Sequence, residues 1–131
     1  MKIRLLCFCA MVVGFLMVSG PLFAHHGSRV SYSLDKPATM KGTVTAVGWQ
    51  NPHVFVSYDV KDYSGNVVQW GAEAAENPKM LTERGWSRDS LKPGDQITIT
   101  VFPSKAGTPR GLLSKIVLND KVLYQANGLP E

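Results

Sequence analysis

Cysteine is the scarcest useful residue in this chain of 131 amino acids. There are two, Cys7 and Cys9, and both lie inside an apolar leading stretch. If that stretch is removed, the remaining chain has no thiol, no disulfide and no thiolate ligand. Thiol catalysis and zinc-finger sites are then excluded, and stability must come from an apolar core of roughly 100 residues. Concentrated charge is missing too. Without Lys2 and Arg4, 12 basic side chains stand against 10 acidic ones, a net +2, and the two signs are interspersed. Nothing forms the basic patch that nucleic acid requires. There is no internal repeat, no low-complexity run and no linker, so the chain reads as one domain. Histidine is sparse: His25, His26 and His53 are all there are.

The leading stretch has the layout of an export signal. Lys2 and Arg4 make a basic start, residues 5–18 are apolar, and Ser19, Gly20 and Pro21 break the helix. Ala24 is the small residue expected before the cut. The alternative, a membrane anchor, is disfavoured because the apolar run falls short of the roughly 20 residues that span a bilayer. A lipid-modified cysteine fits less well, since Cys7 and Cys9 lie too near the start. The expected division is a cleaved signal at 1–24, an extended arm at 25–37 and a β-domain at 38–131. The expected location is periplasmic, with no stable membrane anchor after cleavage.

The rest of the chain is organised around residues 40–60, MKGTVTAVGWQNPHVFVSYDV. In the first half, Val44 and Ala46 share one parity and Val47 and Trp49 the other. Such a phase change predicts a bend or bulge, placed near Gly48. In the second half Val54, Val56, Tyr58 and Val60 alternate with His53, Phe55, Ser57 and Asp59, predicting a strand with one apolar face. Between them Pro52 suits the turn before a strand or its first residue.

Further along, Tyr63, Ser64, Gly65 and Asn66 predict a turn, and residues 67–73 a third strand with Val68, Trp70 and Ala72 on one face. Asn77 and Pro78 open a short helix over 78–84, closed by Gly85, with Met80 and Leu81 turned inward and Trp86 beneath. Pro93 and Gly94 predict a type II turn. Residues 96–102 alternate cleanly, Ile97, Ile99 and Val101 against Thr98, Thr100 and Phe102. Residues 112–118 and 121–124 follow, joined at Asn119 and Asp120. In the arm, Val30, Tyr32 and Leu34 alternate with polar residues, which suits an extended segment against a sheet edge. Three strands, a short helix and two strands with a closing ribbon predict a small all-β fold. It is OB-fold-like: a five-stranded Greek-key barrel with one short helix between strands 3 and 4. An open β-sandwich is the alternative, and the helix argues against it.

Ala24 to Gly27 (AHHG), Lys41 to Val44 (KGTV), Trp49 to His53 (WQNPH) and Leu91 to Asp95 (LKPGD) together resemble a family of exported bacterial proteins, domain of unknown function 6152. The segment Gly85-Trp86-Ser87-Arg88-Asp89 is similar to it as well. The resemblance covers nearly all of the chain after the signal. It implies an exported small β-barrel and carries no activity with it.

Cleavage after Ala24 would free His25 as an N-terminus whose amine and imidazole can chelate one ion. A further imidazole, from His53 or His26, completes a three-nitrogen set of the kind that suits Cu(II). Asp59, which shares the face of His53, is a candidate oxygen ligand or hydrogen-bond acceptor for it. At about 3.3 Å per extended residue the arm can reach across a small barrel. The plain alternative is a tail plus a surface histidine. Glu73 and Glu76 read as solvated surface or helix N-terminal charges, and no nucleophile stands in a catalytic setting, so no enzyme activity is expected. Trp49, Asn51, Phe55 and Asp59 form a candidate face for a ligand or exported protein. The two function classes are therefore a copper carrier or sensor, and an accessory module recognising a protein, peptide or glycan. A redox enzyme on the same copper site ranks third.

Overall fold

The computed structural model describes residues 29–129. The expected signal segment, its cut site, and His25 and His26 lie outside the described residues. Within them no helix is long and apolar enough to cross a membrane.

Six strands and one helix form the domain: β1 (Ala38–Trp49), β2 (Val54–Lys61), β3 (Val67–Glu73), α1 (Pro78–Glu83), β4 (Gln96–Pro103), β5 (Arg110–Leu118) and β6 (Lys121–Gln125), preceded by a 3-10 turn at Arg29–Ser31. The sheet runs β3-β2-β1-β4-β5-β6. A parallel β3–β5 pairing closes the first five strands into a barrel, leaving β6 as an edge ribbon. This is the OB-fold arrangement, with the helix between β3 and β4.

The barrel fills as the period-two pattern requires. Val54, Val56 and Tyr58 of β2, Ile97, Ile99 and Val101 of β4, and Leu113 and Ile116 of β5 pack with Leu81, Trp86 and Leu91 in one core. Local turn chemistry sets the joints. Gly65 has φ +84°, and the Asp62 carboxylate accepts from the backbone N–H groups of Ser64 and Asn66. Asn119 and Asp120 have φ of 51° and 61°, as a two-residue hairpin requires. Gly94 has φ +97°, and Asp95 N–H donates to the Lys92 carbonyl (3.1 Å), closing the expected type II turn. The Asn77 side chain accepts from Met80 N–H at 3.0 Å and caps α1.

Two details differ from expectation, and a third adds to it. The bulge in β1 falls between Val44 and Ala46, at Thr45, because Val44 pairs with Tyr58 and Ala46 with Ser57; Gly48 pairs regularly with Phe55. Met80 points outward, 48% exposed, since a helix of six residues offers the core only one position, taken by Leu81. Phe102 does not face solvent. It pairs with Leu112 on the outer surface of the barrel, and both are buried beneath Tyr32 in a second small cluster.

That cluster explains the arm. Tyr32 bridges Ser104, Ser33 N–H donates to the Pro103 carbonyl (2.9 Å), and Lys105 N–H donates to the Ser31 carbonyl (3.0 Å). Tyr32 and Leu34 thus cover apolar surface that β4 and β5 would otherwise leave wet, while Val30 stays exposed.

Candidate functional site

His53 follows a cis Asn51–Pro52 peptide and sits immediately before β2. The β2–β3 ladder runs on past β3, with Ala74 N–H donating to the Val54 carbonyl at 2.9 Å. This brings the Ala74 carbonyl to 3.0 Å from His53 Nδ1. A carbonyl can only accept, so Nδ1 carries the proton and donates. Nε2 is left facing Glu73, with Oε1 at 3.5 Å. The other Glu73 oxygen accepts from the Tyr32 hydroxyl at 3.1 Å. One chain of contacts therefore runs from the corner between β1 and β2, through β3, to the N-terminal arm. All three side chains are largely covered, with His53 25% and Glu73 16% exposed at the side chain and Tyr32 buried.

The electrostatics of the group follow from that cover. Burial, with the charge and hydrogen bond of Glu73 behind it, pushes the Tyr32 phenol up to about 12, while the Arg110 guanidinium works the other way. Tyr32 thus stays a neutral donor at ordinary pH. Arg110 reaches this neighbourhood because Gly71 pairs with Arg110, and Glu73 with Leu112, across the barrel seam.

Beside the group lies a cleft of about 250 Å³ lined by Phe55, Ser57, Gln69, Trp70, Gly71, Pro109 and Arg110. Phe55 pairs with Glu73 and is 38% exposed, so the cleft begins where the His53–Glu73 pair ends. A side chain at Gly71 would meet nothing within 4 Å.

The remaining candidates are dispersed. Asn51 is exposed at the corner. Trp49 is partly buried, edge-on to Trp86 with ring centres 5.7 Å apart, and Trp86 packs in turn on Tyr124. Trp49 thus joins the core's aromatic stack, and Trp70 is the tryptophan that lines the cleft. Asp59 pairs with Gln69 and lies six residues beyond His53, about 20 Å at ~3.3 Å per residue. It is not the carboxylate beside the histidine. That residue is Glu73.

Neither Glu73 nor Glu76 is a solvated charge. Glu76 is 8% exposed, accepts from Arg84 at 2.5 Å, and accepts from the Tyr124 hydroxyl; Arg84 also donates to the Gln125 carbonyl. That network fastens β6 to the start and end of α1. The signal that would have found Glu73 was available. The Asp62–Asn66 turn sets the hairpin register that places Glu73 opposite Phe55, diagonal to His53.

Among the described residues no group of three or more His, Cys, Asp or Glu side chains converges. His53 and Glu73 make two donors. No curated protein matches the chain. Residues 13–114 match the model of a Family of unknown function (DUF6152), and the chain belongs to that family.

Proposed function

We propose that this small β-barrel is an exported, periplasmic metal-binding protein that takes Cu(II) through His25 and His53, with His26 as third or substitute ligand. The carrying observation is the orientation of His53. Its Nδ1–H is committed to the Ala74 carbonyl, which leaves Nε2 facing the Glu73 carboxylate. Ligating histidines are held this way by a backbone or carboxylate acceptor. A second support is the arm. Tyr32 is fixed beside Glu73; of the six residues between His25 and Tyr32, Arg29–Ser31 form a 3-10 turn that rises about 2 Å per residue, and the remaining three can extend to roughly 10 Å. The role in this reading is carriage or sensing.

The cleft bounded by Phe55 and Trp70 favours a second reading, an accessory module holding a protein, peptide or glycan there without metal. Cu(II) titration of correctly processed protein separates the two. His53→Ala and a form with one extra N-terminal residue should each bind at least about 10-fold more weakly. Unchanged affinity in both would leave only nonspecific capture by histidine and overturn the metal reading.

A further inference from the structure

We infer that Glu73 is the oxygen ligand of this metal site, held in place by Tyr32, and that the site therefore selects the cupric over the cuprous ion. The inference rests on the metal reading above and adds the donor that reading lacks. His53 Nε2 and Glu73 Oε1 face each other at 3.5 Å, and with Nδ1 donating to the Ala74 carbonyl the neutral ring presents its lone pair to the carboxylate. A lone pair opposite a carboxylate oxygen is an arrangement that a positive charge completes. Two donors on one ion, each about 2.0–2.2 Å from it, stand about 3–3.5 Å apart, so the pair needs little rearrangement to share one.

Tyr32 fixes the geometry from the other side. Its hydroxyl occupies Oε2, which leaves Oε1 as the free oxygen and aims it at the histidine. The same ring is buried with Phe102 and Leu112, so the carboxylate is held by a side chain that cannot swing away.

The donor set decides the oxidation state. Imidazole, amine and carboxylate suit Cu(II), whereas Cu(I) is held by thiolate and thioether sulfur. Among the described residues the sulfur atoms are those of Met40, which packs on the core, and Met80, which stands on the outer side of α1. Neither adjoins the His53–Glu73 pair in the fold.

The test uses the processed chain with Cu(II) and Cu(I) as probes, in wild type, Glu73→Gln, Tyr32→Phe and His53→Ala. Glu73→Gln keeps an acceptor for Tyr32 and the shape of the side chain, and circular dichroism checks that it folds. It should lower Cu(II) affinity about 10- to 100-fold and change the copper hyperfine splitting in electron paramagnetic resonance, because an anionic oxygen leaves the coordination sphere. Tyr32→Phe should weaken Cu(II) binding while leaving the splitting as in wild type, as expected of a residue that positions a ligand without being one. Cu(I) should bind wild type more weakly than Cu(II) does. If Glu73→Gln retains wild-type affinity and spectrum while His53→Ala loses binding, Glu73 is only an ion-pair partner and this inference falls alone. If His53→Ala is silent as well, the metal reading falls with it.

Discussion

The barrel closes at one glycine, and adding a methyl group there should loosen it. Gly111 pairs with Ala72 of β3 on one side and Pro103 of β4 on the other. A Cβ at this position would stand 2.6 Å from both Cβ and Cγ2 of Val101, and 3.1 Å from the Phe102 carbonyl oxygen. Carbon atoms rest at about 3.5–4.0 Å, so Gly111→Ala must push β5 and β4 apart by roughly 1 Å. Val101 is β-branched and fully buried, which leaves it no rotamer to retreat into. Overpacking of this kind costs about 1–3 kcal/mol, and the reduced freedom of the unfolded chain returns about 0.4–1. The net loss is about 1–2 kcal/mol, a fall in Tm of roughly 5–15 °C for a domain of this size. Gly71 is the internal control. It lies in the same seam, paired with Arg110, and a Cβ there meets nothing within 4 Å. Neither glycine has a positive φ, so Gly71→Ala should be neutral or stabilise by up to about 1 kcal/mol. Urea and thermal unfolding of the two variants side by side decide it. Equal melting of Gly111→Ala and wild type would refute the packing of β5 against Val101.

Three further outcomes are expected. Asn77→Ala removes the side chain that caps Met80 N–H and should destabilise by about 0.5–2 kcal/mol, measured by urea titration. Leu81→Ala should cost about 2–5 kcal/mol, because Leu81 is fully buried, while Met80→Ala, at a position 48% exposed, should cost far less; comparable losses would mean that α1 is rotated. The Tyr32 phenol is raised in the folded state from 10.0 to about 12, so its contribution is intact below pH 10 and drains away as pH rises towards 12. The difference in Tm between wild type and Tyr32→Phe should shrink over that window, and a constant difference would refute the buried hydrogen bond to Glu73.

Much of the fold was legible because it is written in local chemistry. Strand parity placed Val54, Val56 and Tyr58 inside, and turn residues marked Gly65, Gly94 and the Asn119–Asp120 pair where φ is positive. The bulge was legible as a phase change and misplaced by three residues. A bulge is defined by how two strands are paired, and the parity of one strand cannot say which residue lacks a partner. One strand's parity likewise leaves open what covers Phe102. Its parity is that of Thr98 and Thr100, and only the arm lying over the outer surface makes that face dry.

The candidate site was half legible, and the missing half lies where distant segments meet. His53 stood out by its rarity and its place after Asn51–Pro52. Asp59 attracted attention because it shares a face with His53 on one strand, but residues on one strand face separate by about 3.3 Å per step, and a carboxylate six steps away cannot meet the ring. A neighbour must come from the next strand, and the hairpin register supplies Glu73. Tyr32 and Arg110 required more. Residues 71–73 and 110–112 pair in parallel across the barrel, a contact with no turn between the strands to announce it. The arm then packs on the apolar pair, Phe102 and Leu112, beside that seam. Closure of the barrel thus brings a carboxylate, the phenol that holds it and a histidine with a fixed tautomer into one chain of contacts. Strand by strand, none of these residues departs from an ordinary surface pattern. The candidate site is a property of the seam, and perturbing the seam at Gly111 should disturb the histidine and its carboxylate neighbour without touching either residue.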